Sequence, residues 1–188
     1  MTSRNAEKVL APPLANADIE QLNAGDRVLI NGTIYGARDA AHKKLAAMIE
    51  SGETLPFDLQ GAIIYYVGPC PAKGGRPTAS AGPTTASRMD AYAPLLMKHG
   101  LKAMIGKGVR SETVVEAMQQ HKAVYFGAIG GAGALLAARI RRCEPIAFHD
   151  LGPEALYVME VEEFPAFVVN DVRGNDLYRT AVQRYGRR

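Results

Sequence analysis

RVLINGTIYGARDAAHKKLAAMIESG, residues 27–52, holds the transition that decides the fold. The run 27–35 is rich in β-branched and aromatic side chains, which suit a pleated, half-buried surface, and it predicts a strand. Gly36 breaks that run. From there to Gly52, alanine, lysine and leucine dominate; Asp39 suits a helix start and Gly52 a stop, so this half predicts a helix. A strand feeding directly into a helix is the unit from which α/β domains are built.

The alternation continues downstream. GAIIYYVG (61–68), KAMIG (102–106) and AVYFGAI (123–129) are short apolar runs that predict buried strands. TASRMDAYAPLLMKHG (85–100) predicts a helix that Pro94 must either kink or occupy in an early turn, SETVVEAMQQH (111–121) one capped by Ser111, and GGAGALLAARIRR (130–142) a glycine-led one. Three strand-like segments follow, at 144–150, 155–164 and 166–171, with a turn at Gly174 and Asn175. The pattern predicts an α/β fold, a layered sheet with helices in a single domain over 25–180. Residues 1–24, with Pro12 and Pro13, predict an N-terminal arm, and 181–188 a solvated basic tail. The stretch 69–83 carries four prolines and three glycines, which predicts a loop mobile in the absence of a partner.

Composition excludes several roles. At 188 residues and 47% hydrophobic, the chain builds one real core. Its longest apolar stretch, AIGGAGALLAA (128–138), falls short of the roughly 20 residues a membrane span needs, and the start lacks the basic-then-apolar order of a secretory signal. A soluble, cytoplasmic protein is expected, with no membrane partner. The formal charge of +3 owes much to Arg184, Arg187 and Arg188, without interleaved aromatics, so nucleic acid is not an expected partner. Cys70 and Cys143 are too few for a disulfide framework or a metal site, so no metal ligand is assigned to the chain.

Each predicted strand ends in a glycine-containing turn before a helix start, where unpaired amides and the helix dipole favour anions. The basic residues Arg38, Arg88 and Lys107 fall in or beside these turns. Two arginine forks and a lysine would suit a small dicarboxylate, although the same residues read equally as surface cations. Thr84 stands four residues before Arg88, on the same face of a helix that begins there; Thr84 and Thr85 read as N-caps, or Thr84 as a reactive hydroxyl activated by positive charge. His42 stands four after Arg38 and is an acid–base candidate beside its reading as a structural hydrogen-bonder. His99, His121 and His149 show no ligand spacing, and IGGAGAL lacks the GxGxxG order of a dinucleotide loop.

NGTIYGARDAAHKKL, YYVGPCPAK, GPTTASRMD, IGKGVRS, GAIGGAGALLA, LGPEALYVMEVEEFPAFVV and DVRGNDLY, in this order, resemble the C-terminal domain or β subunit of the iron–sulfur-dependent class I fumarate hydratases. The β subunit of L(+)-tartrate dehydratase is a near relative. The resemblance implies a swivelling β/β/α domain and reversible hydration of fumarate to L-malate. It implies that Arg38, Arg88 and Lys107 bind the substrate, that Thr84 contacts it and transfers a proton, and that His42 is a second acid–base candidate. It also implies a [4Fe-4S] cluster held by three cysteines of a separate α subunit, with no cluster on this chain. The expectation is a β subunit inactive without that partner, in a hetero-oligomer that also self-associates. A tartrate dehydratase β subunit and a stand-alone dicarboxylate-binding module are the alternatives.

Overall fold

The computed structural model describes residues 7–186. Its strands are β1 (Lys8–Leu10), β2 (Arg27–Gly36), β3 (Ile63–Tyr65), β4 (Ala103–Gly106), β5 (Val124–Gly127), β6 (Ile140–Ala147) and β7 (Leu156–Asn170). The helices are α1 (Asn16–Glu20), α2 (Asp39–Ser51), α3 (Ala93–Lys98), α4 (Glu112–His121), α5 (Gly133–Ala137) and α6 (Leu177–Tyr185). The opening stretch folds as its composition predicts, β2 into α2, and Gly52 ends the helix at φ 72°, a conformation glycine adopts without steric cost.

One sheet runs in the order β1-β2-β3-β4-β5-β7-β6, and β7 also pairs with β2. Strands β1 to β5 are parallel, while β7 is antiparallel to β2, β5 and β6. Because β7 lies along β2 through Tyr157–Phe167 and reaches β5 through Phe167–Asn170, the strands β2, β3, β4, β5 and β7 close into a hydrogen-bonded ring.

Side-chain alternation sorts the apolar strands into two cores. Ile63, Tyr65, Ile105 and Phe126 pack with Met159, Val161, Phe164 and Val168 of β7. Ile64, Tyr66, Met104 and Tyr125 point the other way, against Leu45 of α2, Leu96 of α3 and Met118 of α4. Burial on both faces explains why these strands read as continuous apolar runs. Each fully buried aliphatic side chain, such as Ile63 or Ile64, contributes about 1.5–3 kcal/mol over its exposed state.

Several elements differ from the sequence reading. The helix expected over 85–100 is a 3₁₀ turn, Ala86–Met89, followed by α3, whose first turn holds Pro94, where a missing N–H costs nothing. The helix expected over 130–142 is only α5; from Ile140 the chain is a strand, because the free side of β7 supplies a ladder for it. The strands expected at 155–164 and 166–171 are one, running through Pro165. That proline lies between the last β6 partner, Val161, and the first β5 partner, Phe167, where an N–H is not needed on that side.

The segment read as an arm contributes β1 and α1, and Leu10, Leu14, Ile19 and Leu22 are buried in the first core. Residues 1–6 lie outside the described residues, as do Arg187 and Arg188 of the segment read as a tail, whose earlier residues complete α6. Loop 69–83 is pinned at its base. Buried Thr78 donates its hydroxyl to the Cys70 and Ser80 carbonyls, Tyr65 donates to the Ala81 carbonyl, and the Ala81 N–H bonds Gly133, leaving 70–76 exposed. Among the described residues, no helix is long and apolar enough to cross a membrane.

Candidate functional site

The C-terminal ends of β2, β3 and β4 carry the predicted residues. Beyond β3, Tyr66 accepts a bond from the Thr84 N–H at 2.7 Å; beyond β4, the Lys107 N–H bonds the Thr84 carbonyl at 3.2 Å and the Lys107 carbonyl takes the Ala86 N–H at 2.8 Å. The Thr84–Thr85 backbone is thereby wedged between the continuations of two parallel strands. Gly106 permits that approach: a Cβ there would stand 2.9 Å from the Tyr66 ring and 3.3 Å from the Thr84 carbonyl oxygen.

Thr84 therefore sits in an extended segment ahead of the 3₁₀ turn, and the expected shared helical face with Arg88 is not formed. The N-cap is Thr85, which is exposed and makes no side-chain capping bond among the described residues. Thr84 is half-buried, with both its backbone groups in the ladder.

Arg38 occupies the N-cap position of α2 in an extended conformation and crosses Gly68, where an added Cβ would meet its Nη1 at 3.0 Å. Its guanidinium pairs with Glu154 at 3.1 Å, and its Nε is buried without a partner among the described residues. The next residue, Asp39, holds Arg88, whose Nη2 lies 2.7 and 2.9 Å from the two carboxylate oxygens. Burial alone would raise the Asp39 pKa, but the bond from Arg88, a backbone amide and the charges of Arg88 and Arg38 outweigh it and hold it below the usual value. Lys107 is exposed and opens onto a shallow cavity of about 260 Å³ shared with Ile129, Phe167, Leu177 and Tyr178.

His42 takes a different place. It is fully buried on α2, edge-on to Tyr66 with ring centroids 5.2 Å apart, and its Nδ1 lies 2.8 Å from the Arg38 carbonyl. That contact makes Nδ1 the donor, so Nε2, which has no partner among the described residues, is the acceptor nitrogen. Burial, helped by the Arg110 charge, pulls its pKa down to about 4, so the ring is neutral at pH 7. The structure brings Arg38, Thr84, Arg88 and Lys107 to one edge of the sheet and sets His42 beneath it.

Three participants were not read from the sequence. Asp39 was assigned only to the helix start, Asp90 lies in the same RMD as Arg88, and Glu154 is remote in sequence with no local signal. Arg110, beyond Lys107, is a further charged group that was not singled out in the sequence, and it is buried.

No group of three or more His, Cys, Asp or Glu side chains among the described residues is placed to hold a metal ion. Cys70 is exposed on its loop, while Cys143 is half-buried on β6, its thiol pushed up to about 11 by burial and by Glu144. These donors do not fit an iron–sulfur cluster, which needs several accessible thiolates together.

The family described as Fumarase C-terminus matches residues 2–181. The chain is similar to the anaerobic class I fumarate hydratase of Escherichia coli, 42% identical over 170 residues, covering 89% of this chain and 31% of that protein. It is 44% identical over 162 residues to fumarate hydratase 2 of Leishmania major, covering 85% and 28%. A putative L(+)-tartrate dehydratase subunit beta of Methanocaldococcus jannaschii is 40% identical over 171 residues, covering 88% of both chains. The chain thus spans about a third of the length of the fumarate hydratases it matches and most of the tartrate dehydratase subunit.

Proposed function

Because the chain belongs to the family described as Fumarase C-terminus, we propose that it is the β subunit of a two-subunit hydro-lyase that reversibly hydrates fumarate to L-malate. Its homologues are fumarate hydratases and a tartrate dehydratase, all hydro-lyases. The observation that carries this reading is the set of Arg38, Arg88 and Lys107 at one sheet edge with Thr84 between the strand continuations. Two guanidinium forks suit the two carboxylates of a C4 dicarboxylate, and Lys107 adds a point charge. Positive charge around Thr84 favours loss of its hydroxyl proton, which fits a base that takes a proton from carbon in dehydration and returns it in hydration. His42, neutral and buried, holds the Arg38 backbone and so positions the first clamp.

The [4Fe-4S] cluster characteristic of class I fumarate hydratases belongs, in this reading, to a separate α subunit, since the donors of this chain do not fit it. The isolated chain is accordingly inactive, and in this reading it is a swivelling β/β/α domain that docks against that partner. Co-expression with a cluster-bearing α subunit under anaerobic conditions is expected to give fumarate hydration that falls by at least about 100-fold in Arg88→Ala. Unchanged turnover in that variant would remove Arg88 from the site.

A second substrate, L(+)-tartrate, is favoured by the 40% identity to a tartrate dehydratase subunit over nearly its whole length. The ratio of kcat/KM for malate and tartrate on the reconstituted complex decides between the two.

A further inference from the structure

Arg110 lies three residues beyond Lys107, and its side chain is wholly buried. The guanidinium is stacked between two rings, 5.3 Å from the centroid of Tyr66 and 5.1 Å from that of Tyr125. Nε donates to Asp90 Oδ1 at 2.7 Å and Nη1 to the Tyr66 hydroxyl at 3.2 Å. The other carboxylate oxygen of Asp90 accepts the Ser111 N–H at 2.8 Å. Asp90 directly follows the 3₁₀ turn that carries Arg88.

Both oxygens of Asp90 are thus bound by the segment that begins at Lys107, and Asp90 itself belongs to the segment that begins at Thr84. Elsewhere these two segments are joined by the backbone bonds from Ala86 to Lys107 and from Lys107 to Thr84. A buried ion pair is a poor device for stability alone, because apolar residues of similar volume often do as well or better. It does impose geometry: the Nε of Arg110, fixed between two rings, and the Ser111 N–H each hold one oxygen of the Asp90 carboxylate and admit one placement of it, while Nη2 of Arg110 has no partner among the described residues.

We propose that Arg110, through its buried pair with Asp90, is a positioning residue that sets the spacing between Thr84 and Arg88 on one segment and Lys107 on the other. The inference rests on the reading of those three residues as the substrate site. It assigns no contact with substrate to Arg110 or Asp90. A displacement of the order of 1 Å in such a site costs about 100-fold in rate, so a loosened lock is costly even when the fold survives.

The test uses the reconstituted complex and three forms of this chain: wild type, Arg110→Lys and the double variant Asp90→Asn/Arg110→Met. The double variant removes both charges and leaves no buried charge unpaired. It is expected to keep a cooperative thermal transition, while kcat for malate falls by about 10- to 100-fold and KM rises several-fold. Arg110→Lys retains charge without the fork and is expected to recover part of the lost kcat. Wild-type kcat and KM in the folded double variant, with only a lowered Tm, overturn the proposal. If the double variant does not fold, Arg110→Lys carries the test, and wild-type kinetics in it overturn the proposal. Amide exchange on the chain without its partner supplies a second readout: Ala86 and Lys107 are expected to exchange faster in Arg110→Lys than in wild type, and equal rates count against the lock. A wild-type complex without hydratase activity would instead defeat the functional reading and leave the exchange comparison standing.

Discussion

Arg88 reaches from its 3₁₀ turn to Asp39, at the start of α2, with Nη2 2.7 and 2.9 Å from the two carboxylate oxygens. A proposed substrate clamp is thus already oriented by a carboxylate of this chain, and that carboxylate neighbours the other proposed clamp, Arg38. The pair is partly open, with side chains 43% and 33% exposed, so solvent screening limits its worth to less than about 1 kcal/mol. Asp39→Asn is expected to leave stability at pH 7 nearly unchanged and to raise KM for malate in the reconstituted enzyme. The pKa of Asp39 is depressed in the fold, so its small contribution is present above the unfolded carboxylate range and lost as pH falls through the folded value. The small difference between wild type and Asp39→Asn in urea unfolding should therefore shrink as pH is lowered below the ordinary carboxylate range.

His42 titrates in the same sense, in a higher pH window. Its pKa is lowered from 6.5 to about 4 by burial, so between those values the unfolded chain binds a proton that the folded chain refuses. Stability accordingly rises with pH across that window and is lost as pH falls from 6.5 towards 4, by about 3 kcal/mol in all. His42→Gln, which cannot titrate there, should show a flatter dependence between pH 7 and pH 4 in urea unfolding. An equal slope in the two proteins would mean that another group carries the dependence.

Gly106 tests the wedge around Thr84. A methyl group there meets the Tyr66 ring at 2.9 Å, the Ala86 Cβ at 3.2 Å and the Thr84 carbonyl at 3.3 Å, in a core that both sheet faces fill. Gly106→Ala is expected to cost about 1–3 kcal/mol in unfolding free energy, with a loss of kcat out of proportion to it. A stable variant with normal kcat would show that the Thr84 segment can shift without consequence.

The parallel strands and α2 were legible because their signals are local: apolar runs ended by glycine, then a helix composition. The pieces that were misread depend on distant partners. Residues 140–142 look helical by themselves, yet β7 offers them a ladder, and tertiary pairing overrides a weak propensity. Arg38, Arg88 and Lys107 were singled out as candidates because each sits in or beside a glycine turn at a strand end. Glu154 was not, since it meets Arg38 only through the closure of the fold. His42 was singled out for its place four residues after Arg38, but spacing on a helix does not say which face is buried.

Thr84 and Thr85 are adjacent in sequence and equivalent as N-cap candidates, and the structure separates them. Thr84 is half-buried, with its N–H on Tyr66 and its carbonyl on Lys107; Thr85 is exposed at the start of the 3₁₀ turn without a side-chain capping bond. Valine replaces a threonine hydroxyl by a methyl at nearly constant shape. Thr84→Val is therefore expected to lower kcat by at least about 100-fold in the reconstituted enzyme with little change in Tm, the signature of a group used in the transition state. Thr85→Val should leave kcat and KM within about twofold and Tm unchanged, because no bond is lost. If Thr85→Val is the inactive variant, the reactive hydroxyl is the exposed one, and the wedge between β3 and β4 serves only to present it.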